Sequence, residues 1–218
     1  MVALKRASNA FREVVITAKP AHASSGHLES IIREQLKGTF FTLNLDRAGD
    51  ALMQAPWVQR IALRRQWPRR LEIDVVEHAP LARWNDSALV DAHGEVFSAD
   101  WDGDLPQFNG PEGEAATVAA RYREWSALLA PLGLTIRTLT LSPRGGWEIG
   151  ATDMQSPLTI ELGRDDPGGR LARFIAAHDR TIAVLARAGR RIDQVDLRYR
   201  NGFAVRVPGF REKPVRKS

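Results

Sequence analysis

Between Pro56 and Trp84 the sequence reads P-W-V-Q-R-I-A-L-R-R-Q-W-P-R-R-L-E-I-D-V-V-E-H-A-P-L-A-R-W, and this stretch limits the possible fold more than any other. Ile61 and Leu63 alternate with polar neighbours, and Leu71, Ile73 and Val75 alternate with Glu72 and Asp74. A period of two with one apolar face predicts half-buried antiparallel strands. Trp67-Pro68-Arg69-Arg70 separates the two runs. Proline has no N–H to give to a ladder, so pairing must break there and the chain must turn. Pro80 interrupts the second run, and Leu81 to Trp84 starts a strand that the first sheet cannot simply continue. A domain boundary is expected near residues 78–80.

Upstream, residues 1–11 are polar and expected to be loose. Glu13 to Thr17 is β-branched and reads as a strand, and residues 20–26 read as a loop. Ser24 or Ser25 is placed to cap a helix over His27–Leu36, with Leu28, Ile31, Ile32 and Leu36 on one face and Gly38 beyond its end. Asp46 is expected to cap a second, short helix carrying Leu52 and Met53, which Pro56 stops. The order is β-α-α-β-β, one sheet with two helices on one face.

In the second half, Ala88–Asp91 and Glu95–Ser98 predict a hairpin around Ala92-His93-Gly94, and Trp101–Gly113 a loop. Ala115–Ala130 is expected to be helical, with Val118, Tyr122, Trp125 and Leu129 on one stripe. Strands follow at Thr135–Leu141, Trp147–Gly150 and Leu158–Leu162. Asp166-Pro167 is a helix start, a cap followed by proline at the first helical position. That helix is expected to reach Ala188, with Leu171, Phe174, Ile175, Ile182 and Leu185 inward, and to stop at Gly189. Gln194–Tyr199 and Phe203–Val207 predict a closing hairpin around Asn201-Gly202, a pair that tolerates positive φ. Arg211–Ser218 reads as a disordered basic tail.

The chemistry-bearing residues do not converge. The histidines His22, His27, His78, His93 and His178 lack metal-ligand spacing, and there is no cysteine, which excludes a disulfide framework and thiolate zinc sites. No Gly-x-Ser-x-Gly surrounds a serine. Asp165-Asp166 is explained by capping, and the glycines at 110–113 and 168–169 lack a phosphate-loop pattern. No cofactor and no enzymatic activity are expected. Lys and Arg outnumber Asp and Glu by 31 to 26, with a pI near 10.1. The acids are interleaved throughout, and a cross-strand ladder with Glu72, Asp74 and Glu77 accounts for Arg64, Arg65, Arg69 and Arg70 better than nucleic acid does. No run approaches the ~18 apolar residues of a membrane span.

The last hairpin is different. Phe203, Val205 and Val207 alternate, and no sequence remains to pair with that strand. Such an edge is a liability, and it is equally a place where a partner can add a strand. One reading is an edge blunted by its own tail with Arg206 as gatekeeper. The other is a docking strand. The residues by themselves leave both open.

P-W-V, R-R-Q-W-P, V-E-H-A-P-L-A-R-W and V-D-A-H-G-E-V-F, followed in order by F-N-G-P-E-G, L-S-P-R, L-G-R, R-L-A-R-F and V-D-L-R-Y, resemble the bacterial cell-division family FtsQ/DivIB over residues 11 to 208. The resemblance implies an α+β chain. A POTRA-like β-α-α-β-β domain would occupy residues 11–79, a larger mixed domain on an antiparallel-rich curved sheet with helices residues 80–210, and the tail residues 211–218. It implies a division-assembly protein of the inner membrane, lying in the periplasm and concentrated at the septum. A membrane helix absent here would precede this region. The implied partner is FtsB in complex with FtsL, added as a strand at the C-terminal edge, and the implied outcome is control of septal wall synthesis. Carried over by motif, the contacts are Arg144 in L-S-P-R, Arg198 and Tyr199 in D-L-R-Y, and Asn201 and Gly202 in the turn; Phe203, Val205 and Val207, read from the alternation of the last strand, would join them. Arg200 and Asn201 depart from relatives with Asp or Glu and then Ser after the Tyr. Val207 stands where some relatives carry an aromatic. The POTRA-like half could meet other division proteins. The alternative is a POTRA-containing component of outer-membrane protein assembly or secretion.

Overall fold

The structure, a computed structural model, describes residues 2–5, 13–17, 30, 31, 34, 44–153 and 156–209. The chain divides into two compact units, Met1–Ala79 with Phe97–Trp101, and Pro80–Val96 with Asp102–Ser218.

The first unit holds strands β1 (Val2–Lys5), β2 (Glu13–Ile16), β3 (Val58–Gln66) and β4 (Arg70–Glu77), in the order β1-β2-β4-β3. The β3–β4 hairpin forms as its alternation predicts, antiparallel, with Arg64 opposite Glu72 and Ala62 opposite Asp74. On β4, Leu71, Ile73 and Val75 are buried. On β3, at the end of the strand order, Ile61 and Leu63 are only half-buried. β2 runs parallel to β4 between two strands, and Val14, Val15 and Ile16 are all buried.

Two expectations are corrected in this unit. Residues 2–5 are a strand rather than a loose tail, paired antiparallel with β2 from Val2–Ile16 to Lys5–Glu13. The cap of helix α1 (Leu45–Leu52) is Asn44 rather than Asp46. Asn44 has extended backbone, and its side chain accepts the Arg47 N–H at 3.1 Å. Asp46 lies inside the first turn, where its charge still favours the helix N-terminus. Of the helix expected over 27–36, the described residues Ser30, Ile31 and Glu34 are helical. The proposed serine caps, Gly38 and the tail 211–218 lie outside the described residues. Trp57, Phe97 and Trp101 form an aromatic group, with ring centroids 5.6 and 6.0 Å from Trp57, and His78 stacks on Phe97 at 4.3 Å.

The nine-stranded sheet is ordered β13-β12-β11-β10-β9-β8-β5-β6-β7. Its strands are β5 (Pro80–Trp84), β6 (Ala88–Asp91), β7 (Val96–Phe97), β8 (Gln107–Asn109), β9 (Leu134–Leu141), β10 (Trp147–Asp153), β11 (Ser156–Gly163), β12 (Gln194–Asp196) and β13 (Ala204–Arg206). The stretch expected as a loop over 101–113 therefore contains a strand. β8 is wedged between β5 and β9, parallel to both, with Phe108 fully buried. Three residues are too few to show a period, so only the neighbours reveal it.

Helix α2 (Ala115–Leu129) buries Val118, Trp125 and Leu129, and Tyr122 packs partly against the same core. The helix expected over 166–188 is two helices, α3 (Pro167–His178) and α4 (Ile182–Arg187). Asp166 caps α3 as expected, accepting the Gly169 N–H at 3.0 Å. The break falls at Asp179–Thr181. There the Arg180 and Thr181 N–H groups reach back only three residues, and the Thr181 hydroxyl donates to the Ala177 carbonyl at 2.8 Å. A hydroxyl that bonds the preceding turn competes with the helical ladder. Leu171, Phe174 and Ile182 are buried nonetheless, and Ile175 and Leu185 pack partly against the core.

Candidate partner-binding site

β13 lies at one end of the sheet order, with β12 as its neighbour. The register sets Gln194 opposite Arg206, Val195 opposite Val205 and Asp196 opposite Ala204. The Arg206 carbonyl accepts the Asp193 N–H at 3.2 Å, so the Arg206 backbone faces β12. Backbone groups alternate in direction along a strand. Those of Ala204 therefore also face inward, and those of Val205 face away from the sheet. All three residues are exposed. A cavity of about 930 Å³ adjoins this strand, lined by residues that include Leu185, Gln194, Val205 and Val207.

The connection before β13 differs from the expected tight turn. β12 ends at Asp196 rather than Tyr199, and β13 spans Ala204–Arg206 rather than 203–207. Residues 197–203 bridge the strands, and neither Asn201 nor Gly202 has positive φ. Side-chain anchors hold this wider loop. Leu197 is buried, and the Phe203 ring meets the buried Phe174 ring edge-on at 6.1 Å. A cavity of about 550 Å³ lies here, lined in part by Arg170, Phe174, Asn201, Gly202 and Phe203. Tyr199 is 57% exposed.

Arg198, expected as a partner contact, is held by acids of its own unit. Its Nε and Nη2 donate to the two Asp196 carboxylate oxygens at 2.9 and 2.7 Å, and Nη2 also reaches Glu161 at 2.8 Å. Gln194 donates to the other Glu161 oxygen. The Arg198 backbone N–H closes the clamp on Asp196 at 3.0 Å. At the far end of the hairpin, Arg206 Nε donates to Asp193 at 2.9 Å. Asp196 belongs to the V-D-L-R-Y motif, but Glu161 lies outside the quoted motifs, because β11 supplies it from 37 positions earlier than Arg198.

Arg144 is exposed in the β9–β10 turn. There the Ser142 hydroxyl accepts the Gly146 N–H at 2.8 Å, and Gly145 takes a positive φ of 82°. A side chain at Gly145 would meet Arg164, and one at Gly163 would meet Arg198. The turn bearing Arg144, the end of β11 and Arg198 therefore share one end of the sheet.

The sequence matches the family described as cell division protein FtsQ/DivIB, C-terminal, over residues 82–198, and the FtsQ-type POTRA domain over residues 9–78. The chain belongs to the FtsQ/DivIB family. It is 38% identical to the cell division protein FtsQ of Burkholderia pseudomallei over 215 residues, covering 95% of this chain and 84% of that protein. It is 34% identical to the FtsQ of Coxiella burnetii over 198 residues, covering 89% and 79% of the two chains. It is 36% identical to that of Escherichia coli over 182 residues, covering 81% and 65%. As an FtsQ-family chain it pairs an N-terminal POTRA domain with a mixed sheet and helices. Among the described residues no helix is long and apolar enough to cross a membrane.

The clamp gives this FtsQ-family edge a defined acid response. The hydrogen bonds from Arg198 hold the Asp196 carboxyl below the usual aspartate range, and they raise the Arg198 pKa in turn. A depressed carboxylate pKa contributes stability that is complete above the unfolded value and is lost as pH falls through the folded one. The 197–203 connection should therefore stay ordered at neutral pH and loosen only in strong acid. A carbon-detected NMR titration of Asp196 should show a midpoint below the ordinary aspartate value. Arg198→Ala should move that midpoint upward, and an unmoved midpoint would remove the clamp as its cause.

Proposed function

We propose that this chain is a non-enzymatic division-assembly protein that receives FtsB, paired with FtsL, as an added strand on β13, and so links that pair to the division machinery and to septal wall synthesis. The outward-facing Val205 backbone on an exposed terminal strand carries this reading. Added strands take affinity from main-chain hydrogen bonds and specificity from side-chain pockets. The cavities beside β13 and beside Phe203 are such pockets. Tyr199, Asn201 and Gly202 border the route into the strand, with Phe203, Val205 and Val207 along it. Arg144 offers an exposed guanidinium to an acid on the incoming segment, and Arg198 shapes the loop from within. The place of action is the periplasmic face of the inner membrane at the septum, where a membrane helix would tether the full-length protein. The POTRA domain would meet other division proteins.

Calorimetry with the periplasmic part of a cognate FtsB tests the reading. Tyr199 is exposed and of a hot-spot type, so Tyr199→Ala should weaken binding by about 2 kcal/mol, roughly thirtyfold. Unchanged affinity would move the contact away from this loop. No binding by the unaltered chain would reject FtsB as its partner.

A further inference from the structure

We propose that the tip of the β3–β4 hairpin is a contact site for an anionic lipid surface. The tip carries one side chain that the fold does not use. Trp67 is 85% exposed, whereas Trp57, Trp84, Trp125 and Trp147 are between 0% and 9% exposed and Trp101 is half-buried. A tryptophan left in water on a turn contributes nothing to a core. Its ring has an apolar body and a polar N–H, the combination that settles at the boundary between lipid headgroups and acyl chains.

The turn itself is basic. Residues 64 to 69 are exposed without a break and include Arg64, Arg65 and Arg69 but no acid. The nearest acid on β4, Glu72, accepts the Gln66 amide at 2.6 Å. Guanidinium groups pair well with phosphate, and basic residues near an anionic leaflet add to binding. A turn exposed over six successive residues suits a broad, yielding surface. Single-stranded nucleic acid instead takes a groove with stacking platforms. The whole chain, with a formal charge of +5, adds long-range attraction.

The test is co-sedimentation of the 218-residue chain with vesicles of phosphatidylcholine alone and of phosphatidylcholine mixed with phosphatidylglycerol. Binding is expected only to the mixed vesicles. It should fall as salt shortens the Debye length from ~10 Å toward ~3 Å. Trp67→Ala should lower partitioning about tenfold, with Trp67→Phe between the two. The combined Arg64→Glu, Arg65→Glu, Arg69→Glu variant should abolish it. An equal charge change at the exposed Arg180, Arg187 and Arg191 on the other unit should have much the smaller effect. Circular dichroism confirms that each variant is folded. The proposal is overturned if the mixed vesicles capture no protein, if Trp67→Ala binds like the parent, if the two triple variants lose binding equally, or if a single-stranded oligonucleotide binds the tip and vesicles do not. The result is independent of the β13 edge.

Discussion

Val205→Pro should weaken capture of the FtsB segment at least a hundredfold, about 2.7 kcal/mol, while leaving the fold intact. The N–H removed is the one that faces away from β12. The intramolecular ladder runs through Ala204 and Arg206 and survives. The incoming strand loses its central main-chain acceptor contact, worth about 0.5–1.5 kcal/mol net. It also meets a ring where it needs a flat backbone, which adds the rest. Proline is tolerated on an outer strand when its missing donor points to solvent. Ala204→Pro is the control. Its lost N–H faces β12, so that variant should destabilise the hairpin itself. Calorimetry beside thermal melts separates the two effects. A Val205→Pro protein that binds normally would eliminate strand addition on β13.

Phe174→Ala should destabilise the second unit by about 3–5 kcal/mol, the range for truncating a fully buried phenylalanine. The ring is completely buried on α3, and it contacts His178 edge-on at 5.9 Å as well as Phe203. Removing it leaves a cavity under the 197–203 connection. The denaturant midpoint should fall with little change in slope. Phe203→Ala, at a half-buried position, should cost less. A loss near 1 kcal/mol for Phe174→Ala would mean that the ring does not hold this part of the core. Because Phe203 leads into β13, partner binding should also weaken, through the position of the strand rather than a direct contact.

Much of the fold was legible wherever the signal was local. The β3–β4 hairpin follows from alternation broken by a proline. The Asp166-Pro167 start of α3 follows from a cap and a residue with no N–H to lose. The stripe on α2 follows from helical spacing, and Trp125 and Leu129 are buried as that stripe requires. The failures share one cause. β8 is three residues long and exists because β5 and β9 flank it. β1 exists because β2 offers it an edge. The split between α3 and α4 turns on one threonine hydroxyl choosing the Ala177 carbonyl. The Asn201-Gly202 pair favours a tight turn in isolation, but Leu197 and Phe203 find places in the core that a tight turn would not allow.

The candidate site divides in the same way. The alternation of Phe203, Val205 and Val207 and the tyrosine of the D-L-R-Y motif could be read directly, because they depend on order along the chain. What the guanidiniums do could not. Arg144 and Arg198 look alike in sequence, yet one is exposed in a turn and the other is bound to Asp196 and Glu161. The sequence alone determined which segments are strands and helices wherever period, cap and proline act over a few residues, and it determined the family through a run of motifs. Only the tertiary structure decided which strands are neighbours, which strand ends the sheet and which charges are already neutralised. Those outcomes depend on contacts between residues tens of positions apart, whose geometry no local pattern encodes.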